Sequence, residues 1–277
     1  MKIGIDVDGV LRDFQTALLS RIRKTYPHYI EKEFDKIPSW KMEDCFNATK
    51  EELQQIYWHD YCDEIMGNGP SIKENVDFLR DKLNSKRDYS IVCVTSQKPH
   101  ARHFTLKWLG NQQLNFDEVY FKKGRQKWKV PVDWLVDDSP SNYEAWIENK
   151  KDCNYILLDT IYNRGINPMY RVKNLKDAFS KMEFRRLQRE QYELFLHKQH
   201  DYGPGNISVG TQLQTEEEIQ LSLTGLWFRM NDKIQRLKTM LMTKRESAVD
   251  EPMEDAYLDV SNYGIMATIV KNGKWGK

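Results

Sequence analysis

The stretch Asp6-Val7-Asp8-Gly9-Val10-Leu11-Arg12-Asp13-Phe14 decides how this chain folds. It continues a short apolar run at residues 3–7, so two aspartates arrive where a first strand ends. Side chains alternate along a strand, which puts Asp6 and Asp8 on one side. Gly9 then lets the backbone turn sharply. In a parallel sheet, ligands bind beyond the carboxyl ends of the strands. Two carboxylates this close can divide labour: one attacks as a nucleophile, and the other is kept protonated to serve a leaving group.

Outward from this stretch, strands and helices alternate to about residue 180. An amphipathic helix carries Phe14, Leu18, Leu19 and Ile22 on one face. A second helix is expected from Ser71, with Glu74 completing a capping box and Val76, Leu79 and Leu83 supplying the apolar face. Residues 89–94, 118–121, 134–136 and 155–158 read as strands, and 101–109 and 141–148 as helices. Such alternation predicts an α/β fold with a parallel sheet covered by helices. One segment interrupts it. Residues 25–68 mix Tyr26, Tyr29, Phe34, Trp40, Phe46, Tyr57, Trp58 and Tyr61 with many charges. They read as a small helical insertion, a cap of about residues 15–70.

Near residue 183 the texture changes. Strand patterns stop, and helical patterns cover 184–200, 216–242 and 253–270. Residues 173–183 read as a helical connection. The expected organisation is an α/β domain over 1–180 and an all-α helical bundle over 181–277.

Composition bounds the function. Hydrophobic residues are 40% and charged residues 30% of 277, which excludes a disordered chain and a membrane protein. No run approaches the roughly 18 apolar residues of a membrane span. Lys+Arg 42 against Asp+Glu 41 gives a net charge of +1. That argues against a nucleic acid polymer as the main ligand but leaves room for a small phosphate ester. The four cysteines (Cys45, Cys62, Cys93, Cys153) are scattered without a CxxC pair, so neither a disulfide framework nor a zinc ribbon is expected. Met1-Lys2-Ile3-Gly4-Ile5 reads as a strand rather than a signal peptide, and a cytoplasmic location is the expectation.

Three later features sit at corresponding strand ends. Thr95-Ser96 follows one strand, Lys127 precedes another, and Asp137-Asp138 follows that one. A hydroxyl, an ammonium and an acidic pair converging on two aspartates suit phosphoryl transfer. The hydroxyl and Lys127 would hold phosphate oxygens, while Asp6 and the acidic pair bind Mg²⁺. Plainer readings stand beside these. Thr95-Ser96 can cap the next helix, Lys122 and Lys123 compete with Lys127, and the aromatics of the insertion can be core.

In this order, Asp6-Val7-Asp8-Gly9, Thr95, Lys127 and Asp137-Asp138 resemble the motifs of the haloacid dehalogenase-like (HAD) phosphohydrolases. The string DVDGVLRDF, with Val94-Thr95-Ser96 and Val132-Asp133-Trp134-Leu135-Val136-Asp137-Asp138, is similar to the 5'(3')-deoxyribonucleotidase branch. The resemblance covers about residues 1–175. It implies a Rossmann-like core with a small helical cap and a Mg²⁺-dependent nucleotidase. In that reading Asp6 becomes an aspartyl-phosphate. Asp8 protonates the leaving oxygen, then activates water, and binds Mg²⁺ through its backbone carbonyl. Thr95 and Lys127 stabilise the phosphoryl group, with Gly9 and Ser96 beside it. Asp137 completes the metal site, with Asp138 a ligand through water. Trp40, Phe46, Tyr57 and Trp58 are the cap candidates for holding the base.

The helical part carries a second acidic set. Glu190 and Glu193 are three apart, and Asp255 and Asp259 are four apart, each pair sharing a helix face. A bundle can turn such pairs inward to bind Mg²⁺. Arg229, Asp232, Lys233 and Arg236 form one basic face with an embedded acid, suited to a di- or triphosphate. His200-Asp201-Tyr202-Gly203, Asn206, Gly225-Leu226, Glu254-Asp255 and Asn262-Tyr263 complete a resemblance to the nucleotide-modification-associated domain of bacteriophage proteins. That domain is itself distantly similar to MazG-type nucleoside triphosphate pyrophosphatases. The MazG Glu-Glu-x-x-Glu helix is absent here. Binding or hydrolysis of a nucleoside triphosphate, nucleotide sensing, and homo-oligomerisation through this part therefore stay open. A polynucleotide end phosphatase is the remaining alternative for the first part.

Overall fold

The computed structural model describes residues 1–150, 154–243 and 252–276. Cys153 and the charged stretch before Pro252 lie outside them. By contacts the chain divides into two compact units, Met1–Met182 and Glu183–Lys277.

The first unit is built on a six-stranded sheet. Its strands are β1 (Lys2–Ile5), β2 (Ser90–Thr95), β3 (Glu118–Phe121), β4 (Trp134–Asp137), β5 (Tyr155–Leu158) and β6 (Tyr170–Val172), in the spatial order β3-β2-β1-β4-β5-β6. All five pairings are parallel. β1 lies between β2 and β4, with Ile5 opposite both Cys93 and Val136. The central strands are buried on both faces, which is why they read as continuous apolar runs. On one face Ile3, Ile5, Cys93, Val136 and Ile156 pack with Val76 and Leu79 of α3 (Lys73–Asn84) and Trp108 of α4 (Arg102–Asn111). On the other, Val92, Val94, Leu135 and Leu157 pack with Trp146 of α5 (Pro140–Asn149). This is the α/β core the sequence pattern predicts.

Two details differ from the pattern. β6 has only three residues and too little apolar signal to register beside Pro168 and Asn174. The expected capping box at Ser71 does not form. α3 starts at Lys73, Ser71 bridges to Arg12, and Glu74 accepts a hydrogen bond from Asn174 instead.

The cap leaves the core through α1 (Phe14–Thr25), which Asp13 caps by accepting from the Thr16 amide at 3.0 Å. It continues through short turns and α2 (Lys50–Gln55), where Thr49 and Glu52 make a reciprocal capping box. Leu18, Leu19, Ile22, Ile37, Phe46, Leu53, Ile56 and Ile65 form its own core. Two tight crossings join cap to core: the Asp13 amide donates to Pro70 O at 2.8 Å, and the Ile72 amide to Leu11 O at 2.7 Å.

α6 (Leu175–Tyr202) begins in the first unit and merges the expected connection and first helix into one. The rest of the second unit is α7 (Gly205–Ser208), α8 (Glu216–Thr243) and α9 (Met253–Lys271). Its core is small, built on Ile207, Leu213, Leu226, Met266, Val270 and Trp275. No helix among the described residues is long and apolar enough to cross a membrane.

The turn after β1 depends on one residue. Gly9 has φ +76°, and a Cβ there would lie 1.8 Å from Asp138 Oδ2 and 2.9 Å from Tyr162 Oη. Both the left-handed backbone and the close approach require glycine. Gly9→Ala should therefore lower unfolding stability by about 2–3 kcal/mol and displace Asp138, as read by urea denaturation and residual activity. Wild-type stability in the variant would refute this account of the turn.

Candidate active site

Three adjacent strands, β2, β1 and β4, end at one place, and their last residues make the site. Asp6 follows β1, its amide fixed by Val136 O at 3.0 Å. Two residues on, the amides of Leu11 and Arg12 both donate to Val7 O at 2.8 Å, closing the loop that presents Asp8 and Gly9. Thr95 ends β2, and Asp137 ends β4. Lys127 comes from a turn at Lys127–Lys129 just before β4.

Lys127 is 2% exposed, and its Nζ lies 2.7 Å from Asp6 Oδ2 and 2.7 Å from Asp137 Oδ2. Lys122 and Lys123, its competitors in the sequence, are not buried. Asp137 also accepts from the Ser139 amide at 2.9 Å and from Asn142 Nδ2 at 3.0 Å. Tyr162 Oη donates to Asp138 Oδ2, and Asn163 Nδ2 donates to Asp138 O at 2.9 Å. Asp8 is held at both oxygens, Oδ1 by Arg12 Nε and Oδ2 by Gln97 Nε2, each at 2.8 Å.

Four oxygens here have no protein partner although buried: Asp6 Oδ1, Thr95 Oγ1, Ser96 Oγ and Gln97 Oε1. The next short helical turn is N-capped by Lys98 without a side-chain bond, so Thr95 and Ser96 are not helix caps. Buried polar atoms without partners are costly and point to a missing ligand. Oxygens of Asp6, Asp137 and Asp138 lie within 4.8 Å of one another. Among the described residues this is the one such group. An all-carboxylate donor set with one unpartnered oxygen fits a hard divalent cation.

Burial dominates the electrostatics. Desolvation pushes the Asp6 carboxyl up to about 7, the Lys127 ammonium opposing it and Asp137 and Asp8 adding to it. Asp138 is raised well above the ordinary carboxylate range, first by desolvation, then by Asp137 and Asp6. Lys127 is raised because the two carboxylates outweigh its own desolvation. One ammonium does not neutralise the cluster.

Above these groups is a cavity of about 250 Å³. Asp6, Asp8, Gly9, Thr95, Ser96, Lys127 and Asp138 form its polar end, and Phe14, Trp40, Met42, Tyr57 and Trp58 its aromatic and apolar wall. Trp40 packs on Tyr162 with ring centroids 5.6 Å apart, and Tyr57 on Phe14 at 5.3 Å. Phe46 is a correction. It is 5% exposed and packs on Phe34 inside the cap core, away from the cavity wall.

Residues that sequence reasoning passed over are Arg12, Gln97, Asn142, Tyr162 and Asn163. Only Arg12 carried a signal, a charge set inside an otherwise apolar turn. Tyr162 and Asn163 come from a loop after β5 with no motif.

In the second unit the acidic residues stand apart. Glu190 and Glu193 are exposed, with Glu190 paired to Arg186. Asp255 is half-buried and Asp232 exposed. Asp259 is 4% exposed but turned to cations, bonding Lys198 Nζ and lying 3.0 Å from Lys233 Nζ. The ion pairs hold Asp259 below the ordinary carboxylate range against its desolvation. Arg229 donates to Asn206 Oδ1 at 2.6 Å. The expected inward-facing carboxylate set is thus replaced by a lysine-bound aspartate, because Lys198 and Lys233 reach it first. Lys233 and Arg236 both have further interactions.

A parallel sheet with a helical cap and an aspartate cluster at its strand ends defines a HAD-type hydrolase. The chain belongs to the family of 5' nucleotidase, deoxy (pyrimidine), cytosolic type C proteins, whose model matches residues 1–188. Residues 198–270 match the model of nucleotide modification associated domain 1. No curated protein matches the chain. Of 26 similar solved chains, one is a protein described as the HAD-hydrolase YfnB from Bacillus subtilis, bound to magnesium. It is 16% identical with a TM-score of 0.42, the match covering 66% of this chain and 98% of that one. The protein is thus a phosphohydrolase of nucleotides, fused to a nucleotide-modification-associated domain.

The raised carboxyls give a signed pH dependence. A carboxyl lifted from 3.8 to about 7 binds its proton more tightly in the native state. Its contribution is present below about pH 4 and lost as pH rises through about 7. Ion-free protein should therefore become less stable over that window. A divalent cation, which binds the ionised cluster, should raise Tm more at pH 8 than at pH 5. Thermal unfolding with EDTA and with added cation reads both. An equal shift at the two pH values would count against a metal centre.

Proposed function

We propose that the first unit is a Mg²⁺-dependent 5'(3')-deoxyribonucleotidase that hydrolyses (deoxy)nucleoside monophosphates through an aspartyl-phosphate on Asp6. The observation that carries the reading is the set of unpartnered buried oxygens on Asp6, Thr95 and Ser96, grouped around Lys127 at the polar end of an aromatic-walled cavity. A phosphate fits the polar end, and a base fits between Trp40, Tyr57 and Trp58.

The chemistry follows from the residues present. An Asp6 carboxylate oxygen attacks phosphorus as the bond to the nucleoside oxygen breaks. That oxygen leaves with the proton of Asp8, whose carboxyl is held 2.8 Å from both Arg12 and Gln97. Asp8 then takes a proton from a water that attacks phosphorus, breaking the bond to Asp6 and freeing phosphate. Lys127, Thr95 and Ser96 hold the equatorial oxygens. Asp6, Asp137 and Asp138 would hold Mg²⁺, and the bound ion would supply positive charge to offset that of the carboxylates and the phosphate. The polar groups of the site are themselves buried, so these charges act at a lower dielectric than in water.

Asp6→Asn should abolish phosphate release from deoxynucleoside monophosphates while keeping a folded circular-dichroism spectrum, with Lys127 still paired to Asp137. Full residual activity would remove Asp6 as nucleophile. A monophosphate panel covering bases, sugars and 5' or 3' esters identifies the substrate.

For the second unit we infer a nucleoside triphosphate site at the α8 face of Arg229, Lys233 and Arg236, serving nucleotide-pool metabolism of the kind a bacteriophage needs. The match of residues 198–270 to a nucleotide-modification-associated domain supports the reading. The lysine-bound Asp259 favours binding over cutting. Full-length protein should bind triphosphates more weakly once Arg229→Ala is introduced, measured by calorimetry. Wild-type affinity in that variant would remove this face as the triphosphate site.

A further inference from the structure

The site holds one buried charge that phosphoryl transfer does not use. Arg12 is fully buried and does not line the cavity. A guanidinium without water must find partners for its donors, or its burial is strongly destabilising. Nε donates to Asp8 Oδ1 at 2.8 Å. Nη1 donates to Met66 O, and both terminal nitrogens reach Thr105 Oγ1, at 3.4 and 3.3 Å. Its Cζ lies 5.4 Å from the centroid of the Trp108 ring, whose Nε1 donates to Gly69 O at 2.7 Å. Gly69 leaves room for this, since a Cβ there would sit 3.3 Å from Arg12 Cδ and 2.4 Å from Ile65 O.

Two of these groups share a location, while Thr105 and Trp108 belong to α4 of the core. Met66 and Gly69 belong to the segment by which the cap returns to the core. Arg12 itself lies where the chain leaves the core, and its backbone bridges to Ser71. A guanidinium is a rigid fork, so moving one set of its acceptors rotates the other.

We propose that Arg12 is a positioning residue: it sets the Asp8 carboxyl for proton transfer and ties that setting to the placement of the cap's return segment. The inference rests on the reading of Asp8 as the acid and base of the reaction. Arg12 touches neither substrate nor phosphorus and acts through Asp8 alone. Displacement of residues 66–71 would move the Met66 carbonyl, and Asp8 with it. Proton transfer is then efficient only with the cap in place.

Leaving-group dependence tests this. A deoxynucleoside 5'-monophosphate needs its leaving oxygen protonated, whereas p-nitrophenyl phosphate does not. In Arg12→Lys, turnover of the nucleotide should fall about 100-fold, the low end of general acid–base contributions. With p-nitrophenyl phosphate the first step should stay within a few-fold of wild type. It then appears as a burst of p-nitrophenolate followed by slow turnover, because water activation by Asp8 is also impaired. A loosened fold would slow both first steps alike, and that result overturns the proposal.

Asp8→Asn is the reference. If Asp8→Asn shows the leaving-group bias and Arg12→Lys does not, the positioning role fails alone. If Asp8→Asn shows no bias, the assignment of Asp8 fails and the inference with it. Thr105→Val removes an acceptor of the guanidinium at similar size and covers the case of an unfolded Arg12 variant. It should show the same bias to a smaller degree, and its absence overturns the proposal.

Discussion

A single ammonium group, Lys127 Nζ, sits 2.7 Å from a carboxylate oxygen of Asp6 and 2.7 Å from one of Asp137. Buried charges persist only when paired and hydrogen-bonded, so this contact forces the ends of β1 and β4 and the turn before β4 into register. It also leaves the site unbalanced. Three carboxylates gather there, on Asp6, Asp137 and Asp138, against one lysine. The Asp6 and Asp138 carboxyls are raised first by burial and then by their carboxylate neighbours. The cluster could hold a cation, and in the proposed reaction Lys127 would meet the incoming phosphate. The site lies where the strand order turns back, with β2 and β4 on either side of β1. There the connections diverge and leave a crevice.

The cap supplies what the core lacks. A strand-end cluster alone is open to water and holds phosphate without regard to what the phosphate is attached to. The wall of Phe14, Trp40, Met42, Tyr57 and Trp58 gives the cavity an apolar side. Its contact with the core at Trp40 and Tyr162 brings the cap against the loop that orients Asp138. The cavity wall and the ordering of the acidic cluster therefore meet at Tyr162.

The helical unit shows how charge spacing underdetermines a site. Asp255 and Asp259 share a helix face by spacing, yet Asp259 is buried against Lys198 and Lys233. A carboxylate that enters a low-dielectric interior takes the nearest cation, and here long lysine side chains from α6 and α8 supplied it. The small core of this unit and exposed residues such as Trp227 and Phe228 contrast with the well-filled sheet domain.

Most of the α/β core was legible because its signals are local and periodic. Apolar runs mark strands buried on both faces, DVDG marks a turn that only glycine permits, and Thr95, Lys127 and Asp137-Asp138 fall on strand ends in order. The three-residue β6 and the unformed Ser71 capping box were not, since both depend on which distant partner arrives. Asp6, Thr95, Lys127 and the acidic pair were nameable as a set from the sequence, because phosphate chemistry restricts the residue types. Which aromatics line the cavity, why Phe46 is core, and that Arg12, Gln97 and Tyr162 hold the carboxylates were decided by tertiary structure. Those contacts join residues as far apart as Asp8 and Gln97, or Arg12 and Thr105. A one-dimensional pattern records periodicity and composition. The pairing of buried polar groups is settled only when the chain closes and each must find a partner within hydrogen-bond reach.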